Sequence, residues 1–120
     1  MSVSVFEMTQ RLFCDERRIP FVPTYANTNV GMALNTRGLQ PVNGLRHPPK
    51  HYSNGWFLWA GEHFEATSEF FSVVHASHVN EIFAEAVRLL GLPPGYRFLT
   101  SGAYIDIWFD SSLLDVEGDS

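Results

Sequence analysis

Residues 43–61 read N-G-L-R-H-P-P-K-H-Y-S-N-G-W-F-L-W-A-G, and the change of character halfway along decides how the rest of the chain is arranged. The first part carries Arg46, His47, Lys50 and His51 around Pro48 and Pro49; the second is an aromatic run, Trp56 to Trp59, between Gly55 and Gly61. Side chains alternate along a strand, so Trp56 and Leu58 face one way and Phe57 and Trp59 the other. Both faces are apolar, which predicts a central strand covered on both sides. Gly38, Pro41, Gly44, Pro48 and Pro49 predict an irregular loop before it, continuing to Ser53. The loop's cations could grip an anion, but a solvated loop is the better reading.

On the N-terminal side, residues 4–18 place Val5, Met8 and Leu12 on one side, with Phe6 and Phe13 widening the face. That spacing predicts an amphipathic helix, stopped by Pro20 and Pro23. An apolar run over residues 30–34 allows one short strand. On the C-terminal side, residues 62–69 form an acidic connection and residues 70–75 a second strand. Residues 76–90 then repeat apolar side chains at Val79, Ile82, Phe83, Ala86, Val87 and Leu90, the period of a helix. Ser77 is placed to cap it and Gly91 to take a left-handed stop before Pro93 and Pro94.

Residues 96–101 and 103–110 predict a hairpin turning at Gly102. Its second strand alternates strictly, with Ala103, Ile105, Ile107 and Phe109 inward and Tyr104, Asp106, Trp108 and Asp110 outward. The tail, 115–120, is expected to fray. The architecture expected is α+β: a small, mostly antiparallel sheet of four to five strands with two packed helices, in a single domain over residues 1–120.

Composition agrees with a folded chain and narrows its partners. The 120 residues are 45% hydrophobic and 14% aromatic, enough to bury a core without disulfides or metal. No apolar run approaches the roughly 20 residues that cross a bilayer. The N-terminus lacks the pattern of a secretory signal and the single Cys14 can form no internal disulfide, so a cytoplasmic location is expected. Residues 1–50 hold six basic side chains against three acids, a balance of +3; residues 51–120 hold two against ten, a balance of -8. An acidic second half argues against nucleic acid and would suit a basic protein partner, unless it is simply a soluble surface.

Catalytic chemistry finds little support. His75 and His78 are spaced i, i+3 with Glu81 one turn further, whereas a metal pair on a helix is better spaced i, i+4; a structural role is the better reading. Cys14 beside Asp15 and Glu16 should have a raised pKa, which disfavours a nucleophile. No phosphate loop, nucleophile elbow or dinucleotide fingerprint occurs. No catalytic, metal or cofactor residue is therefore assigned, and no cofactor is expected. The outward hairpin face is different: Tyr104 and Trp108 between Asp106 and Asp110 have the composition of interface anchors with a polar surround. The same pattern would result if a helix covered this face and the aromatics were core. Asp106 decides between them, since a buried carboxylate needs a partner such as Arg97.

Five segments in order, G-L-R-H-P-P (44–49), G-W-F-L-W-A-G-E (55–62), V-H-A-S-H (74–78), L-G-L-P-P-G-Y-R-F-L (90–99) and D-I-W-F-D-S-S-L-L (106–114), resemble the immunity-protein-thirty-three-like domain of bacterial polymorphic toxin systems. The resemblance implies a protein made beside a secreted toxin, which binds the cognate toxin domain and blocks it in the producing cell. For such a protein the outward hairpin face supplies the expected partner-binding residues, Tyr104, Asp106, Trp108 and Asp110, with Glu62, Glu65 and Glu69 as rim. Two alternatives remain: an enzyme reversing the toxin's modification through His75, His78 and Glu81, or an interaction domain with no toxin partner.

Overall fold

The computed structural model describes residues 4–67 and 69–115. Its framework is one six-stranded sheet in the order β4-β1-β3-β2-β5-β6. The strands are β1 (Asn29–Met32), β2 (Val42–Arg46), β3 (Ser53–Ala60), β4 (Ser72–His75), β5 (Tyr96–Ser101) and β6 (Tyr104–Phe109). Only the β1–β3 pairing is parallel. The α+β class and the central position of the Trp56–Trp59 strand agree with the sequence reading; the sheet has six strands rather than four or five. Of the tail expected to fray, 116–120 lies outside the described residues.

The additional strand is β2, in the stretch expected to be a loop. Gly44 is the reason it could form and the reason it was concealed. It lies beneath the Phe98 ring, where a Cβ would collide with ring atoms, so a residue that normally weakens strands is required here. Arg46, expected in solvent, is 1% exposed. Its Nε donates to the Asn54 carbonyl (2.9 Å), and its Nη1 to the carbonyls of Val22 (2.8 Å), Leu92 (2.8 Å) and Leu90 (3.4 Å). Burial lowers its pKa to about 10, which leaves it charged at neutral pH. Taking a guanidinium out of water costs several kcal/mol. Bonds to a charged donor contribute roughly 1.5–3 kcal/mol each, so three short ones offset that cost. His47 is also engaged, donating from Nδ1 to the Leu113 carbonyl (2.9 Å) and packing edge-on to Phe57. The expected basic loop therefore does not exist as a cluster.

α1 (Val5–Arg17) begins at Ser4, whose hydroxyl accepts from the Glu7 amide, and ends at Arg18 in the left-handed conformation. The expected face is wrong at its centre, though Phe6 and Phe13, expected at its margin, are in the core. Val5, Met8 and Leu12 are 81%, 47% and 59% exposed, and the helix packs through Phe6, Gln10, Phe13 and Cys14, about 150° round the axis at 3.6 residues per turn. Gln10 draws the helix in that way. It accepts from the Thr24 amide and donates to the Thr24 carbonyl, both at 2.9 Å, as a neighbouring strand would.

The helix expected over 76–90 is broken into a 3-10 turn (Ala76–His78), α2 (Val79–Ile82) and a 3-10 helix (Ala84–Leu89). Phe83, at φ -131 and ψ 69, is the break. In a 3-10 helix residues i and i+3 eclipse, which brings Ala86 and Leu89 to one line; both are fully buried. A continuous α-helix would turn Leu89 about 120° away from Phe83. Burial thus overrides the helical period. Gly91 is not left-handed; it is needed because a Cβ would lie 2.8 Å from the Phe21 ring.

These elements cover one sheet face, burying Trp56, Leu58, Met32, Val42 and Phe98. Replacing Arg46 with Met removes the cation and strands its carbonyl acceptors. The expected loss is about 3–5 kcal/mol, a large fraction of a typical domain stability, read from the urea unfolding midpoint at unchanged slope. A loss under about 1 kcal/mol would show that the carbonyls find other donors.

Candidate functional site

Strand register carries the second face of the sheet across four strands. Phe57 and Trp59 of β3 stand opposite Leu45 and Asn43 of β2, these opposite Arg97 and Leu99 of β5, and these opposite Trp108 and Asp106 of β6. The β3 part is covered. Phe64 and Phe71, from the segment after β3, stack on Trp59 and Phe57 with ring centroids as close as 4.7 Å, and Phe70 packs edge-on to both of them. Leu113, from the 3-10 turn Ser111–Leu114, packs with Leu45 and Trp59.

The β6 part is open. Tyr104 is 58% and Trp108 41% exposed, and Asp106 is exposed between them. Arg97, the cation that could have neutralised a buried Asp106, instead meets Asp110 at 3.0 Å. Of the two readings of the hairpin, the uncovered face is the one observed. Ile105 and Ile107 turn towards the main core as expected. Phe109 was expected inward and is 52% exposed, its ring lying against Tyr96 and Gly95 at the sheet's end.

Glu62, Glu65 and Glu69 are all exposed on the segment that carries the covering phenylalanines. His63 Nε2 and Glu65 Oε2 approach to 2.7 Å. The register sets Ala60 and Tyr104 at one end of the sheet, since Val42 opposes both Ala60 and Thr100, and Thr100 opposes Ile105. Three strand spacings, about 14 Å, separate β3 from β6. The acids therefore border the same face from the far side rather than touching Asp106. Phe64 is a surface aromatic of this border that alternation did not reveal, because it lies in an irregular segment; its 43% exposure and its stacking on Trp59 mark it.

Asp110 differs from Asp106 in being engaged. Its Oδ1 accepts from the Ser112 hydroxyl (2.6 Å) and amide (3.1 Å), and its Oδ2 from Arg97. The Ser112 hydroxyl, then the Ser112 amide and Arg97, hold its pKa below the ordinary 3.8. It fixes the end of β6 and the turn that delivers Leu113.

The remaining candidates do not assemble a reactive centre. His78 Nδ1 lies 3.6 Å from Glu81 Oε1, both on the surface, and His75 is exposed on β4. Among the described residues no three His, Cys, Asp or Glu side chains gather as a metal site. Cys14 is fully buried, and burial pushes its thiol up to about 11, with Asp15 adding to the rise. That is the opposite of an activated nucleophile. No helix among the described residues is long and apolar enough to cross a membrane.

The family model described as Imm33-like domain matches residues 9–110. No curated protein and no solved structure matches the chain.

Because the folded Asp110 carboxyl is held low, its stabilisation is complete above the ordinary carboxylate value and is lost as pH falls through the lowered one. Ser112→Ala removes the largest cause. Carbon-detected NMR titration is expected to show Asp110 moving up towards 3.8 in that variant.

Proposed function

The chain belongs to the Imm33-like domain family, and from that premise we propose that it is an immunity protein, which binds the toxin domain encoded beside it and blocks that toxin in the producing cell. The observation that carries the reading is the open β6 face, where Tyr104 and Trp108 stand exposed on either side of Asp106. Large aromatics left in solvent on a rigid sheet are what a partner surface requires, since they bury much area at little entropic cost. An exposed acid between them favours a basic partner surface.

In this reading Tyr104 and Trp108 are anchors and Asp106 supplies charge complementarity. Glu62, Glu65 and Glu69 form the acidic border that steers a basic toxin surface from the β3 side. Asp110 contributes less directly, by holding the end of β6 through Arg97 and Ser112. Inhibition is by occupying the toxin, and no group on this chain needs to react. The surplus of acids in residues 51–120, -8 against +3 in the first fifty, gives the long-range attraction the correct sign for such a partner.

Co-expression with the neighbouring toxin domain tests the proposal, and failure to co-purify at micromolar concentrations overturns it. Trp108→Ala is expected to leave the unfolding midpoint within a few degrees while weakening the complex by about 2 kcal/mol, roughly 30-fold in Kd. Asp106→Lys is expected to slow association and to flatten its dependence on ionic strength, measured by stopped-flow fluorescence. An unfolded Trp108→Ala protein would instead assign that ring to the core.

A further inference from the structure

β6 ends the sheet, so one side of its backbone has no strand beside it among the described residues. The hydrogen-bond ladder tells which groups lie there. The His47 amide donates to the Gly55 carbonyl at 2.8 Å, so 47 and 55 form a bonded pair, as do 45 with 57 and 43 with 59. Gly44 and Arg46 therefore turn to β5, and the alternation carries on: Phe98 turns to β2, while Arg97, Leu99 and Ser101 turn to β6. Their partners are Trp108, Asp106 and Tyr104. The N–H and C=O groups of Ile105, Ile107 and Phe109 are left pointing out of the sheet.

Natural sheets guard such an edge with charged side chains, Lys above all, with Pro, a bulge, a very short strand or a covering loop. β6 has no Lys, Pro or bulge: it is six residues, Y-I-D-I-W-F, in unbroken register with β5, and its one charge, Asp106, opposes an acidic strand while favouring a basic one. The other edge strand, β4, is four residues long. This longer edge is also the strand that carries Tyr104, Asp106 and Trp108.

Resting on the reading of this chain as a toxin-binding immunity protein, we propose that β6 receives an extended segment of the toxin domain as a seventh strand, and that this segment alternates basic and apolar residues. Backbone bonds at Ile105, Ile107 and Phe109 give such a complex its register, and alternate side chains select the sequence. On one face the added strand meets Tyr104, Asp106 and Trp108. Asp106 forms no ion pair among the described residues, so a basic residue across from it gains a partner. On the other face lie the half-buried Ile105 and Ile107 and the exposed Phe109, whose burial an apolar residue would complete. A second copy of this chain is the poorer occupant, because it brings the same acids to the same edge.

Amide hydrogen exchange by NMR, on the protein alone and with the separately produced toxin domain, tests this. The amides of Tyr104, Asp106 and Trp108 are expected to be protected in both samples. Those of Ile105, Ile107 and Phe109 are expected to exchange rapidly in the free protein, and to slow about 100-fold with free toxin domain at about 100 times Kd. Ile107→Pro deletes an outward N–H and no ladder bond, and is expected to abolish co-purification, whereas Ile107→Ala, which shares the lost core contact, retains it. If Ile107→Pro does not fold, the exchange pattern decides. A complex that leaves these three amides unchanged overturns strand addition and leaves the functional reading standing. No complex at all overturns both. Slow exchange of the three amides in the protein alone, whether or not it depends on concentration, also overturns the proposal, since the edge is then already occupied.

Discussion

The Leu90 carbonyl oxygen accepts from the Thr24 hydroxyl (2.7 Å), the Trp56 indole (3.0 Å) and the Arg46 guanidinium (3.4 Å), and Arg46 reaches on to Val22, Leu92 and Asn54. The sheet and the layer that closes its first face meet at this point. Thr24 holds Gln10 and hence α1; Trp56 and Arg46 belong to the two central strands; Leu90 and Leu92 end the segment that covers them. A guanidinium suits the position because its planar fork offers several donors in fixed directions, whereas an ammonium would present one compact charge. Among the described residues no buried side-chain polar atom lacks a partner, so the network is complete, and complete networks specify one arrangement where an apolar core would tolerate several.

That anchoring leaves the two faces of the sheet unequal. One is closed by α1 and residues 76–92. The other is closed over β3 and β2, by the cluster of Phe64, Phe70 and Phe71 and by Leu113, and is open over β6. The open part is a continuous hairpin, closed at its far end by the Arg97–Asp110–Ser112 contacts. An exposed aromatic pair on a rigid support needs little ordering when a partner arrives, which is the condition under which buried area turns into affinity. The same hairpin presents both an aromatic, acidic face and a backbone edge with no strand beside it among the described residues, so recognition by side chain and by main chain would converge on one strand.

Reading from the sequence succeeded where one element's own pattern was sufficient. Trp56–Trp59 could only be a doubly covered strand, and 96–110 could only be a hairpin with two unlike faces, because period two is a local property of the backbone. It failed where a partner decided the outcome. Val5, Met8 and Leu12 satisfied helical spacing as well as Gln10 and Cys14 did, and only the Thr24 backbone, reached through Gln10, selects the side that also holds Phe6 and Phe13. Gly44 and Arg46 look like loop residues until Phe98 and four carbonyls surround them. The regular apolar repeat after Ala76 promised one helix, and the need to bury Leu89 beside Ala86 broke it at Phe83.

The candidate site divides in the same way. Sequence alone determined that Tyr104, Asp106 and Trp108 share one face, that the charge of residues 51–120 is acidic, and that the ordered segments from G-L-R-H-P-P to D-I-W-F-D-S-S-L-L resemble an immunity domain. It could not determine whether that face is covered, because alternation separates two faces of a strand without saying which one another layer reaches. Tertiary structure decided this by giving Arg97 to Asp110 and leaving Asp106 in water. It also decided that β6 is the last strand of the sheet, since strand order follows from pairing between segments far apart in the chain and leaves no mark on any one of them.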